Sequence, residues 1–395
     1  MFPEKMKELG TKRSVIRELF EFGNKRKEEI GKENVFDFSL GNPSVAPPAA
    51  VEETIRRMLD EVSPVALHGY TSAPGDRTVR QKIAAYINDS FDMDADENDL
   101  YMTVGAAASL CITLNAMLEA GEEVIALAPF FPEYKVFVEK AGGVLRTVPC
   151  RESDFQLDAQ ALKEAINEKT AAVIVNSPNN PSGAILTEES IKLLADILNE
   201  AEQRVGHPIY IIADEPYREL VYDDILVPYI PQYYKNSLVC YSFSKSLSLP
   251  GERIGYIYVP KQIDRAADMM AGVAGAGRAL GYVCAPSLFQ RVAAACLGQT
   301  ADLAVYKLNR DLLYDSLTKF GFSVVHPDGA FYLFMRAPGG DANAFSELAK
   351  KHELLVVPSD DFGMPGYVRI SYCVDTETVR RSLPAFEKLA KECSL

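Results

Sequence analysis

Three apolar runs constrain this chain more than any other feature. Thr170-Ala-Ala-Val-Ile-Val-Asn176 runs apolar without alternation until its polar end. A strand wetted on one side alternates apolar with polar residues, so a run without alternation is covered on both faces. Pro208-Ile-Tyr-Ile-Ile-Ala213 and Ser237-Leu-Val-Cys-Tyr241 have the same character. Further strands are predicted over Asp99–Val104 and Glu123–Leu127. Helical patterns lie between them. One runs from Ala106 to Glu119 and stops at Gly121; another is capped by Thr187, with Glu188 and Glu189 in its first turn, where acidic side chains suit the helix dipole. Strands alternating with helices imply an α/β fold built on a mostly parallel sheet.

The C-terminal part has another rhythm. A long helical pattern over Ser287–Lys319 precedes short strands at Ser323–Val325, Ala330–Met335 and Tyr367–Ser371, with helices at Ala342–His352 and Thr376–Glu392. These predict a smaller α+β domain. The segment before Gly41 is expected to fold back onto it, after a break marked by Pro43, Pro47 and Pro48. The expected division is a large domain over 45–285 and a small one made of 1–44 and 286–395, which suits a 395-residue chain.

Several classes are disfavoured. With 41 basic and 55 acidic residues the net charge is −14, so phosphate backbones and anionic lipid surfaces are repelled. No nucleic-acid or membrane partner is expected. Seven scattered cysteines without C-x-x-C spacing read as reduced thiols in a cytoplasmic protein. Four dispersed histidines give no zinc pattern. Met1–Gly10 carries four charges and lacks the apolar core of a secretory leader. Met269–Phe289 is Gly/Ala-rich and interrupted by Arg278, which suggests a buried or interfacial segment rather than a membrane span.

Ligands of open α/β sheets bind beyond the carboxyl ends of the strands, and four strand ends here carry unusual residues. At Thr103-Val-Gly-Ala-Ala-Ala-Ser109 a strand turns at Gly105 into a helix whose first amides, at Ala106 and Ala107, are free for an anion. A plain tight turn accounts for that stretch equally well. Ser177-Pro-Asn-Asn-Pro-Ser-Gly183 is a rigid turn presenting Asn180; an Asx turn is the other reading. Asp214, in Ala213-Asp-Glu-Pro-Tyr217, comes directly after a buried strand and needs a cationic partner, which a structural arginine would also satisfy. Ser242-Phe-Ser-Lys-Ser-Leu-Ser-Leu-Pro-Gly-Glu-Arg253 gathers two hydroxyls, a lysine and an arginine. Hydroxyls with arginine suit a phosphate dianion, and a desolvated lysine is a nucleophile able to form an imine. A solvated lysine on a surface loop is the alternative.

Together these residues offer a phosphate cradle, an imine-forming amine, a carboxylate for a ring nitrogen, and a phenol and amide for a ring hydroxyl. With Val368-Arg-Ile-Ser371 they make the sequence resemble the class I/II, fold-type I aminotransferases, from about Gly41 to Arg369. The resemblance implies pyridoxal 5'-phosphate as cofactor, with Lys245 as its Schiff-base lysine and Asp214 as partner of its ring nitrogen. It matches Tyr217 and Asn180 to the ring-oxygen contacts, and Ser242, Ser244, Arg253 and the Ala106 and Ala107 amides to the phosphate cup. Phe131, in Pro129-Phe-Phe-Pro132, takes the place of the stacking aromatic. Tyr70 matches a tyrosine that reaches the neighbouring subunit's phosphate, which implies a homodimer. Arg369, with the Gly41 backbone and Asn180, matches the substrate-carboxylate site.

The implied reaction moves an amino group between an L-amino acid and a 2-oxo acid, with aspartate or a related amino acid as donor. A carbon–sulfur β-lyase on the same scaffold is the alternative. A dicarboxylic substrate needs a second cation, for which Arg278, Arg17, Arg13 and His68 are candidates.

Overall fold

The computed structural model describes residues 3–11 and 14–395. Arg13 lies outside them. The large sheet has seven strands: β1 Leu100–Thr103, β2 Glu123–Ala128, β3 Val144–Pro149, β4 Thr170–Asn176, β5 Tyr210–Glu215, β6 Ser237–Ser242 and β7 Gly255–Tyr258. Their order is β1-β7-β6-β5-β4-β2-β3. The run from β6 to β3 is parallel, and β7 is antiparallel to both its neighbours.

The absence of alternation in the apolar runs is explained by two cores. Val173 and Val175 of β4, with Ile211 and Ala213 of β5, belong to the hydrophobic cluster on one face. Ala172 and Ile174, with Ile212, Leu238 and Cys240, belong to the cluster on the other. Successive strand side chains point to opposite faces, so each strand needs apolar residues at every position when both faces are covered.

Five helices bear on the placement of the cavity and its surroundings: α1 Val15–Ile30, α2 Ala106–Met117, α3 Ala266–Leu280, α4 Leu303–Lys319 and α5 Thr376–Glu392. The small sheet has the order β9-β10-β8, all antiparallel, with β8 Tyr332–Arg336, β9 Val357–Pro358 and β10 Tyr367–Ser371. A third core surrounds it, including Tyr306, Leu313 and Leu317 of α4 and Val379, Phe386 and Leu389 of α5. The N-terminal segment does return to this part. Phe36–Asp37 pairs in parallel with Leu354–Leu355, and Arg26 of α1 binds Glu353 at 2.7 Å.

Two expectations change. The single helical pattern over Ser287–Lys319 is two helices, Ser287–Ala295 and α4. Gly298 between them sits at φ +76°, and the Asp302 side chain accepts from Ala304 N to start α4 afresh. The first of these helices belongs to the core on one face of the large sheet, where Val292 and Ala293 are fully buried. Ser323–Val325 forms no strand, only a single bridge from Val324 to Met335. The Gly/Ala-rich stretch supplies α3, which buries Met269, Val273, Ala276 and Gly277 against the rest of the protein. No helix among the described residues is long and apolar enough to cross a membrane.

Candidate active site

The parallel arrangement brings the carboxyl ends of β4, β5 and β6 to one edge, beside the N-terminus of α2. There a cavity of about 480 Å³ opens between the two sheets. Gly41, Ala106, Ala107, Phe131, Asn180, Asp214, Tyr217, Ser242, Ser244, Lys245, Arg253 and Arg369 all line it. Tyr70 does not; it stands 98% exposed after the short helix Pro64–His68. Of the candidate second cations, Arg17 of α1 reaches the cavity wall, whereas His68 and Arg278 are exposed and lie away from it.

Ser242 ends β6 and caps the next turn, accepting from Ser244 N at 3.2 Å. The two hydroxyls lie 2.8 Å apart, and Arg253 Nη1 donates to Ser244 Oγ at 3.4 Å. Arg253 holds the left-handed conformation, φ +52°. Such strain in a non-glycine residue persists only where surroundings enforce it, and it clusters at functional sites. Gly105, at φ +94°, precedes α2; a Cβ there would come within 2.7 Å of Arg253 Nη2. Glycine is therefore needed both for the turn and for the close approach of the Arg253 guanidinium to it.

Lys245 lies one turn further on. Its Nζ donates to Gly41 O at 2.7 Å and sits 5.2 Å from the Phe331 ring centre. Burial brings its pKa down from 10.5 to about 8; the charges of Arg369 and Arg253 push the same way and Cys373 opposes them. Desolvation disfavours the ammonium form, so the neutral amine is far more populated near neutral pH than in a solvated lysine.

Asp214 ends β5. Its Oδ2 accepts from the Tyr134 hydroxyl at 2.5 Å, while Asn176 Nδ2 donates to its backbone oxygen at 2.8 Å. Its Oδ1 is buried with no partner in the protein. Burial raises the carboxyl from 3.8 to about 7, against the lowering effect of Tyr134. A bare, buried carboxylate oxygen beside a cavity is a binding group for a cation or N–H donor.

Arg369, in the middle of β10, spans two elements. Nη1 donates to Asn180 Oδ1 at 3.1 Å and Nη2 to Ser39 O at 2.6 Å, leaving Nε buried without a partner. Tyr332 and Phe362 sandwich the guanidinium, with ring centres 4.8 and 5.2 Å from Cζ. Burial lowers its pKa, yet an arginine stays charged. Tyr217 completes the wall, its hydroxyl 2.9 Å from that of Tyr332.

Three residues of the site escaped sequence reading: Tyr134, Asn176 and Tyr332. Asn176 was visible only as the end of β4. It orders the neighbouring turn, because its Oδ1 accepts from Asn180 N at 2.7 Å. Tyr134 stands one helical turn after Phe131, a spacing that places both on one side of the connection. Tyr332 carries no signal distinguishing it from the other aromatics of its strand.

Comparison with known proteins agrees with this geometry. The sequence model of aminotransferase class I and II matches residues 33–386. An aspartate aminotransferase from Pyrococcus horikoshii is 30% identical over 95% of this chain and 94% of its own. The solved structure of an aminotransferase from Eubacterium rectale superposes with a TM-score of 0.98 and 54% identity, covering 100% of both chains. The aspartate aminotransferase of Thermus thermophilus, solved with maleate, gives a TM-score of 0.85 at 25% identity over 98% of this chain and 99% of that one. The half-buried lysine and the buried carboxylate and arginine that face one cavity thus sit in an enzyme that belongs to the class I and II aminotransferases.

Proposed function

We propose that the cavity holds pyridoxal phosphate and that the enzyme uses it to exchange an amino group between an L-amino acid, aspartate or a related one, and a 2-oxo acid. The observation that carries this reading is the joint presence, in one cavity, of a neutral-poised lysine amine and a bare buried carboxylate oxygen. The residues fit the group. Lys245 Nζ would hold its aldehyde carbon, Asp214 Oδ1 its ring N–H, and Tyr217 and Asn180 its ring oxygen. Ser242, Ser244, Arg253 and the Ala106 and Ala107 amides would take its phosphate, and Phe131 would stack on the ring. When bound, such a cofactor supplies an electron sink for the pair left behind when a proton leaves the substrate Cα.

The chain's own residues then have defined tasks. Arg369 grips the substrate α-carboxylate through N–H groups that its protein contacts leave free, Nε among them, with Asn180 and the Gly41 backbone beside it. A planar fork fixes orientation as well as position, and orientation is where much of the rate arises. Lys245 Nζ would serve as general base toward the substrate Cα–H and, once protonated, as general acid toward the carbon that was the cofactor's aldehyde. Asp214 would stabilise a positive charge on the ring nitrogen.

Arg17 is proposed to read a second carboxylate on the substrate. It lines the cavity from α1, and its side chain has no ion pair or hydrogen bond among the described residues. The Arg17→Ala variant is then expected to raise KM for aspartate while leaving KM for an aromatic donor unchanged. The names of the relatives do not favour the β-lyase alternative. A homodimer in the cytoplasm is proposed on exposed Tyr70 and on seven cysteines that are all free. The division into bodies of 45–285 and of 1–44 with 286–395 is proposed with one adjustment: the helix Ser287–Ala295 belongs with the large body.

The test is direct. Purified protein given pyridoxal phosphate should show a visible band that Lys245→Ala lacks, and should convert 2-oxoglutarate to glutamate with aspartate as donor. A band that persists in Lys245→Ala, or near-normal turnover by that variant, would reject the assignment.

A further inference from the structure

Tyr134 is a buried phenol to which the proposed reaction gives no task. It belongs to the helix Glu133–Lys140, comes just after the turn that carries Phe131, and is 1% exposed. Phe130 stacks beside it at 6.2 Å, and Phe131 meets it edge-on at 5.8 Å. That packing fixes the ring and aims the hydroxyl at Asp214 Oδ2, 2.5 Å away. Asn176 Nδ2 approaches the same oxygen at 3.5 Å. The carboxylate is therefore asymmetric: one oxygen is engaged by the protein, and the other, Oδ1, is bare.

We propose that Tyr134 is a positioning residue that works through Asp214, turning Oδ1 toward the bound ring nitrogen and holding the shared proton on the nitrogen rather than on the carboxylate. This rests on the pyridoxal-phosphate reading of the cavity. A proton between a pyridine nitrogen and a carboxylate can reside on either. A hydrogen bond donated to the carboxylate stabilises its charged form and so leaves the proton with the ring. Burial works in the opposite direction at Asp214, and Tyr134 is the group that opposes it. The phenol itself is pushed well above its ordinary pKa by burial and by Asp214, so it stays a donor across the working pH range. The other charged or titratable groups facing this pair do not replace it. Glu215 repels the Asp214 charge but is locked to Arg218 at 2.5 Å. Cys240 of β6 and Tyr217 are buried groups whose pKa values are raised, so both remain neutral.

The experiment compares Tyr134→Phe, which keeps the ring stack, with the native enzyme. In the apoenzyme, the Asp214 carboxyl is tracked by 13C NMR and assigned by its loss in Asp214→Asn. Its proton affinity is expected to rise about tenfold or more when the donor is removed. In the holoenzyme carrying 15N-labelled pyridoxal phosphate, the ring-nitrogen resonance is expected to move toward the unprotonated position, with kcat lowered and KM little changed. In the double variant with Asp214→Asn, Tyr134→Phe should add no further loss. An unmoved carboxyl titration, an unmoved nitrogen resonance or an additive loss would each overturn the proposal. A measurement on the native fold guards against a variant that does not fold: the native enzyme should show a far-downfield phenolic proton that vanishes in Asp214→Asn, and its absence also counts against the proposal. If native protein takes up no pyridoxal phosphate, the cofactor reading falls, while the apoenzyme titration still judges the Tyr134–Asp214 contact on its own.

Discussion

At the scale of single residues, the site depends on which atoms of a side chain are already committed. Arg369 gives Nη1 to Asn180 and Nη2 to Ser39, and its stacking rings hold the plane. A lysine at 369 would keep one charge but could not brace two elements and present a fork to a carboxylate. Arg369→Lys is therefore expected to raise KM for the amino acid by roughly 10- to 100-fold, the range for losing a hydrogen bond to a charged group. Steady-state kinetics with the intact holoenzyme reads this directly; an unchanged KM would place the carboxylate elsewhere. Lys245 yields a pH prediction with a definite sign. Its pKa is lowered to about 8, so the neutral, reactive fraction grows as pH rises through 8 and is nearly complete by about 10. The rate at which apoenzyme captures pyridoxal phosphate should trace that curve. Half-maximal capture above about pH 10 would mean the amine is as well solvated as a surface lysine.

At the scale of elements, the turn from β1 into α2 concentrates two demands on one glycine. Gly105 adopts φ +94°, and any Cβ would push against the Arg253 guanidinium. Arg253 is a flexible side chain, so Gly105→Ala is expected to fold but to displace the guanidinium from its place beside this turn. The expected result is a pyridoxal-phosphate Kd weakened at least tenfold, with thermal stability of the apoenzyme lowered by about 1–3 kcal/mol from the strained backbone. Fluorescence titration and thermal denaturation separate the two effects. This turn also shows how much was legible in the sequence. β4, β10 and α5 are marked by unbroken apolar runs or by periodicity, and their boundaries match the expected ones to the residue. Lys245, Asp214, Asn180 and Arg253 were legible because each lies at or beyond the carboxyl end of a buried strand, where polar residues stand out. Tyr134 and Tyr332 were not. An aromatic on a helix or strand looks like core until the partner of its hydroxyl is known, and those partners, Asp214 and Tyr217, are 80 and 115 residues away. The split of Ser287–Lys319 carried a signal of its own, Gly298 followed by the capping residue Asp302, which a single helical reading of the whole stretch passes over.

At the scale of the whole molecule, one matched residue stands apart from the rest. Tyr70 is 98% exposed, and Val65 on the same segment is 85% exposed. If this segment lies at a twofold subunit interface, a second copy of the chain covers both side chains symmetrically. In a twofold dimer a surface residue of one subunit can complete the cavity of the other. That arrangement predicts complementation between two damaged chains. Tyr70→Ala subunits keep Lys245, and Lys245→Ala subunits keep Tyr70. Hybrid dimers then contain one site built from two sound halves and one carrying both defects. With random exchange at equal amounts, half the dimers are hybrids, so about a quarter of native activity should return on mixing. Each variant alone must first be shown to be impaired and dimeric, by kinetics and by light scattering. If activity on mixing only averages the two parents, Tyr70 serves its own subunit or none, and the cavity is complete within a single chain.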